Sequence, residues 1–153
     1  MSARITEART AQYDLAIEIA APRPRVWEAL VEDTNLWWLP DFRTAGDDST
    51  VSLRAEAGGA LVEHRPGGAS LLWYTVQRVE PGVSLHLVGF SAPAWGGPAT
   101  TMLRLRLRDR GDGCLLEVSD ALVGQVTEEM VASLRDGWQR LLGEGLRRYV
   151  ERG

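Results

Sequence analysis

The chain contains no lysine, and all 17 of its basic residues are arginine. Chemistry that needs a lysine amine, Schiff-base formation above all, is therefore excluded. Cysteine is represented only by Cys114, which excludes an intrachain disulfide, a cysteine-rich zinc site and an iron–sulfur cluster. A reducing, cytoplasmic setting is expected. The only histidines, His64 and His86, lack the His-x-x-x-His spacing of a metal pair, so neither metal nor cofactor is expected. No stretch approaches the ~20 apolar residues of a membrane span, and Met1–Thr10 lacks the apolar run of a secretory leader. There is no Gly-x-Gly-x-x-Gly or phosphate loop, and no Gly-x-Ser-x-Gly elbow surrounds Ser70 or Ser119. Nucleotide binding and a hydrolase triad are unsupported, and no catalytic residue is assigned. The acidic excess, 21 residues against 17 for a net charge of −4, gives nucleic acid or an anionic membrane no general attraction.

What is present suits one globular domain: 153 residues, 44% hydrophobic and 25% charged. Residues 1–11 read as a flexible N-terminal segment and 12–153 as a single domain. From Tyr13 to Ala20, Tyr13, Leu15, Ile17 and Ile19 alternate with Asp14 and Glu18, the mark of a half-buried strand. Pro22 and Pro24 break it, and Pro24 suits the first turn of a helix carrying Val26, Trp27, Leu30 and Val31. Asp33 is placed to cap a second short helix through Trp37 and Trp38, ended by Pro40. An antiparallel meander follows, with strands expected at Thr50–Ala55, Gly59–His64, Ser70–Val79, Ser84–Phe90, Ala99–Arg108 and Cys114–Asp120. Asp120 reads as a turn residue at the end of the last strand.

Thr127 is placed to cap a long terminal helix with Glu128 and Glu129 in its first turn and Arg147, Arg148 and Arg152 near its end. Steps of 100° put Val131, Leu134, Trp138, Leu141, Leu142, Gly145 and Tyr149 on one face, with Gly143 on the far side. The sum is an α+β fold in which a curved antiparallel sheet of about seven strands wraps a long C-terminal helix. An antiparallel sheet of that size covers one helix only by curling around it, which encloses a space.

Several motifs have a familiar order. Ile19-Ala20-Ala21-Pro22 is followed by Val26-Trp27-Glu28-Ala29-Leu30, then by Trp37-Trp38 and Pro40. Tyr74-Thr75-Val76 leads to Val79-Glu80-Pro81-Gly82 and Leu85, and Gly137-Trp138 with Leu141 and Leu142 closes the series. Over about residues 12–151 the chain resembles the START/polyketide-cyclase superfamily with its helix-grip fold, that of the birch-pollen allergen group. The branch it resembles is named for the activator of the 90-kilodalton heat-shock chaperone's ATPase. The resemblance implies a cavity between sheet and terminal helix for an apolar or amphipathic small molecule. The chaperone activators are two-domain proteins, whereas this chain has room for one module, which argues against a co-chaperone role.

A small hydrophobic or aromatic ligand is thus the expected partner, with no nucleic acid and no membrane span, and with room for a homodimer. Leu134, Trp138, Leu141, Leu142 and Tyr149 are expected to line the cavity from the helix. Val62, His64, Tyr74, Val76, Leu103, Leu105, Leu116 and Val118 are the sheet candidates, with His64 inward beside Ala60 and Val62, and with Glu63 and Arg65 in water. Trp95, in the small-residue loop Ser91–Pro98, is either a lid over the mouth or a surface aromatic. Gly145 is either a notch for the ligand or a point of close packing. Trp27, Trp37 and Trp38 read as core or rim anchors. Arg104, Arg106, Arg108 and Arg110 form a solvated outer stripe paired with carboxylates such as Glu117. Two rival readings stay open, a cyclase/aromatase-like enzyme using His64 or Tyr74 as a proton shuttle, and a partner-binding module.

Overall fold

Alternation of apolar and polar residues translates into seven antiparallel strands, β1 (Arg9–Ile19), β2 (Thr50–Leu53), β3 (Ala60–His64), β4 (Ser70–Glu80), β5 (Ser84–Ser91), β6 (Ala99–Arg110) and β7 (Gly113–Gly124). The computed structural model describes residues 2–152. Met1, in the expected flexible segment, and Gly153, at the end of the expected domain, lie outside them. The strands form one open, curved sheet in the order β1-β7-β6-β5-β4-β3-β2. Between β1 and β2 come α1 (Arg23–Glu32), α2 (Thr34–Trp37) and a 3-10 turn at Pro40–Phe42. No helix among the described residues is long and apolar enough to cross a membrane.

The pairing register explains two departures from the expected boundaries. β1 begins at Arg9, four residues before Tyr13, because Arg9 pairs with Gly124 at the far end of β7. β7 in turn runs past Asp120, which therefore sits within the strand, buried on the same face as Leu116 and Val118. The ladder between β3 and β4 shifts between Leu61 and Val62, which leaves Trp73 as an extra residue on β4, and a second shift leaves Gln77 extra against β5. Such bulges bend the bulged strand and add to the curl of the sheet.

The concave face packs on the terminal helix, α3. Its first part spans Glu128–Arg140, and the Thr127 hydroxyl caps it by accepting from the Met130 N–H at 3.1 Å. A π-helical segment, Leu141–Arg147, follows, and a last α turn, Arg148–Glu151, ends it. Bonding from i to i+5 spends more residues per turn than 3.6. Steps of 100° therefore lose phase across this segment. Gly143, expected on the far side, is buried, and Tyr149, expected over the cavity, turns to α1 instead. There its hydroxyl donates to Asp33 Oδ2 at 3.0 Å, with the Arg25 guanidinium 5.5 Å from its ring centre. The Asp33 carboxylate thus serves Tyr149 and Arg25 and makes no cap bond to α2, contrary to expectation.

Of the two readings of Gly145, the structure supports close packing. A Cβ built on it would lie 2.6 Å from the Trp37 carbonyl oxygen, so the missing side chain is what lets the π segment meet α2. On the convex face, Arg108 pairs with Glu117 and Arg110 with Glu18, all partly exposed, which are surface pairs of small energetic value. The Gly145 contact yields a direct expectation. Gly145→Ala should cost about 1–3 kcal/mol by overpacking and lower the melting temperature by several degrees. Gly143→Ala, whose Cβ would meet only the Arg147 guanidinium at 3.7 Å, should be neutral or slightly stabilising. Thermal denaturation of the two variants followed by circular dichroism checks the contrast.

Candidate functional site

Most of the space under the helix is filled. Leu30, Leu61, Leu85, Leu87, Leu105 and Leu142 close on one another and on Trp37 around a void of about 10 Å³, room for about one water. The expected hollow beneath the middle of the helix is therefore absent, because large aliphatic side chains from sheet and helix interdigitate there. Open space lies further toward the start of α3. A cleft of about 200 Å³ is lined by Trp38, Phe42, Trp73, Tyr74, Ser133, Leu134, Gly137, Trp138 and Leu141.

Five aromatic rings form its wall and floor. Trp38 and Trp73 lie 5.8 Å apart by ring centres and tilted by 53°, and Tyr74 and Trp138 lie 5.9 Å apart and tilted by 54°, tilted contacts that suit the ring quadrupole. Three local devices hold them. The extra residue in the β3–β4 ladder brings Trp73 and its neighbour Tyr74 both to the cleft. Gly89 on β5 has no side chain where a Cβ would sit 2.8 Å from the Tyr74 ring. Phe42 is clasped to α3, since its ring lies 5.4 Å from the Arg140 guanidinium, which also pairs with Asp41 and Glu144.

The outer wall is held by buried polar groups. Glu63, with no exposed surface, accepts from four donors. These are the Thr44 N–H at 3.1 Å, the Ala45 N–H at 2.7 Å, the Ser49 hydroxyl at 2.7 Å and the Trp73 indole at 3.1 Å. Burial pushes its carboxyl up, but the Ser49, Ala45, Trp73 and Thr44 donors outweigh that cost and leave it below the usual carboxylate range. Arg43 ties the same loop to α2 through the Asn35 side chain and carbonyl at 2.9 and 2.8 Å and the Ser49 carbonyl at 2.8 Å. The loop that carries Phe42 and the indole of Trp73 are thus fixed to one carboxylate.

Behind Tyr74 lies a second polar cluster. Asp120, 2% exposed, accepts from the Tyr13 hydroxyl at 2.7 Å and from the Thr101 hydroxyl. Tyr74 stands over Gly89, which pairs with Thr101, and its ring packs on that of Trp138. Burial first, and then the charge of Asp120, hold Tyr74 well above the usual phenol range and so in its neutral form. Burial and the hydrogen bond to Asp120 do the same for Tyr13.

Residues 20–151 match the family model described as Activator of Hsp90 ATPase homolog 1-like protein. The chain belongs to that family. No curated protein matches it in sequence. Among solved structures, an uncharacterised protein from Rhizobium leguminosarum shares 14% identity, covering 98% of this chain and 100% of its own, with a TM-score of 0.74. Ara h 8.0201 shares 11% over 95% and 100%, at 0.68. A Thalictrum norcoclaurine synthase point mutant, in complex with a transition-state analogue, shares 14% over 97% and 98%, at 0.62. At these identities the likeness establishes the helix-grip fold. Membership of the family supports a ligand-binding domain in general terms.

The residues expected from sequence to line a cavity divide three ways. Tyr74, Leu134, Trp138 and Leu141 line the cleft. Val76, Leu103, Leu105 and Leu142, with Leu116 and Val118, are packed in the closed core. Val62, His64, Trp95 and Tyr149 lie elsewhere. On β3 the burial alternation is the reverse of the one expected: Leu61 and Glu63 point inward, Val62 is half-buried and His64 is exposed. An apolar residue stands on each face of this short strand, and the four donors to Glu63 decide the register in favour of a buried carboxylate. His86 stands on the opposite face from Leu85 and Leu87, between Arg78 and Arg104. Burial and these two cations keep its imidazole below the usual range. Trp95 is 55% exposed and stands apart from the cleft wall, so the surface reading of that loop fits and the lid does not.

Trp38, assigned only as an anchor, is part of the cleft wall, as are the unforeseen Phe42 and Trp73. For Asp120 a signal did exist, since Leu116, Val118, Asp120 and Leu122 continue a single alternation. The role of Glu63 as the pin of the wall leads to a test. Glu63→Gln puts an amide N–H₂ among donors and should cost about 3 kcal/mol at pH 7. Because the folded carboxyl is depressed, its contribution is complete above the ordinary value of 4.5 and is lost as pH falls through the folded value. Urea denaturation of wild type and variant from pH 7 to pH 3 should show the stability gap narrowing only at the acid end. A gap that stays constant with pH contradicts the assignment.

Proposed function

We propose that the protein binds a small aromatic or hydrophobic molecule in the cleft beside the first part of α3. The observation that carries this reading is the convergence of five aromatic rings on an open cleft, beside a core closed by leucines. In a well-packed protein an unfilled apolar cleft forfeits dispersion contacts, and a flat guest between Trp138, Tyr74 and Trp73 restores them. The volume is below the roughly 300–1,000 Å³ of drug-sized sites, which favours a guest of one or two rings. Leu134 and Leu141 supply apolar contact from the helix, Trp38 and Phe42 close the side, and Tyr74 offers the polar atom that orients the guest.

Catalysis of the cyclase/aromatase kind fits less well. A general acid or base works best with a pKa near the ambient pH, and the environment of Tyr74 moves it away from that range. His64, the other expected proton shuttle, lies outside the cleft.

Native mass spectrometry of freshly purified protein looks for a retained molecule, and calorimetric titration with 2-naphthol as probe measures the site directly. One 2-naphthol per chain is the expected stoichiometry. Trp138→Ala should weaken binding about tenfold or more through lost ring contact and burial, whereas Trp95→Ala should leave it unchanged. Equal affinity in wild type and in a folded Trp138→Ala variant contradicts the reading.

A further inference from the structure

An indole has one polar atom, an N–H that donates and never accepts, so each tryptophan of the cleft wall calls for one acceptor. Two of the three have theirs. The Trp38 N–H donates to the Phe42 carbonyl at 3.0 Å, and the Trp73 N–H donates to Glu63 at 3.1 Å. Trp37, packed on Trp38, likewise donates to the Ala29 carbonyl at 2.8 Å. These are the indole hydrogen bonds among the described residues, and Trp138 makes none. Yet Trp138 is 8% exposed, and its nitrogen is not sealed in the core. Among the described residues that are not exposed, Arg106 Nε is the one side-chain nitrogen or oxygen that is closed off without a partner. The Trp138 nitrogen therefore borders open space. Of the two spaces along this side chain, the void of about 10 Å³ presents only apolar surface, which leaves the cleft of about 200 Å³. Tyr74 shares that wall, but a phenol both donates and accepts and so fixes no polarity. The indole fixes one. A ring that fills the cleft strips water from this N–H, and a guest without an acceptor leaves it unserved, which is the costly side of the hydrogen-bond balance.

We propose that the cleft selects aromatic molecules carrying a hydrogen-bond acceptor for the Trp138 N–H, such as an aromatic ketone, over hydrocarbon analogues of the same shape. Trp138 is then a specificity-determining contact, in addition to the apolar area that its ring contributes. This inference rests on the aromatic-binding reading above and narrows it to a class of ligand.

The test compares 2-acetylnaphthalene with 2-isopropenylnaphthalene, which share a ring system and a shape and differ by a carbonyl oxygen against a methylene group. Both are titrated by calorimetry into the full chain, as wild type and as Trp138→Phe, which keeps an aromatic ring and loses the N–H. Taking the affinity ratio of the two probes in each protein and comparing the ratios cancels their different hydration. The ketone-to-hydrocarbon ratio should be about fivefold or more higher in the wild type, the worth of one hydrogen bond. The indole proton resonance of Trp138 in the wild type gives a second readout. It should move further downfield with the ketone than with the hydrocarbon, because a hydrogen bond deshields the proton while the two ring currents are alike. If the ratio is the same in both proteins, or the Trp138 proton moves equally with both probes, the acceptor assignment is overturned while the aromatic-binding reading stands. If Trp138→Phe does not fold, the resonance alone decides. If neither probe binds, the aromatic-binding reading itself fails and this inference with it.

Discussion

A carboxylate with no exposed surface is costly unless its oxygens are fully served, and in this protein that requirement shapes the cleft. Glu63 gathers two backbone N–H groups and a hydroxyl from the loop before β2 and an indole from β4. Satisfying it places the loop after Phe42 and the ring of Trp73 in one arrangement. Apolar packing alone would leave that wall adaptable, since it is non-directional. Four directional bonds to one anion make it rigid, and a rigid wall keeps an aromatic cleft open instead of letting it collapse onto its own rings.

The same logic operates on the floor. Asp120 is a second buried carboxylate, served by Tyr13 and Thr101 on the neighbouring strands. Its place in the middle of β7 follows from the long β1–β7–β6 pairing. Between these two anions the sheet and α3 are closed by leucines, and the glycines at 89 and 145 mark where a ring and a helix approach most closely. Function in this reading is confined to the cleft where five aromatic rings and the Tyr74 hydroxyl meet.

Much of this fold was legible in the chain. Alternation located the strands to within a few residues, the breaks at Pro22 and Pro40 bounded the short helices, and Thr127 announced the terminal helix. The parts that were not legible share a cause. His64 and Glu63 exchanged sides because Ala60, Leu61 and Val62 offer apolar residues to both faces, and the donors that draw Glu63 inward come from a loop remote in sequence. Trp73 entered the site through a bulge, which a strict period of two does not register. Tyr149 left it because a π segment breaks the 100° step, with Gly143 and Gly145 as the only local hints. Leu134, Trp138 and Leu141 were found because the helical period runs undisturbed up to them, and Tyr74 because it keeps the alternation with Val76 beyond the bulge.

Six tryptophans are distributed across the molecule, and they make the central claim directly observable. The indole N–H resonances of Trp38, Trp73 and Trp138 report on the cleft, while those of Trp27, Trp37 and Trp95 report on the rest. A two-dimensional ¹H–¹⁵N spectrum recorded during titration with 2-naphthol should move the first three by ring-current shifts and leave the others in place. Movement confined to Trp95 or Trp27, with the three cleft signals stationary, would contradict an aromatic site beside α3.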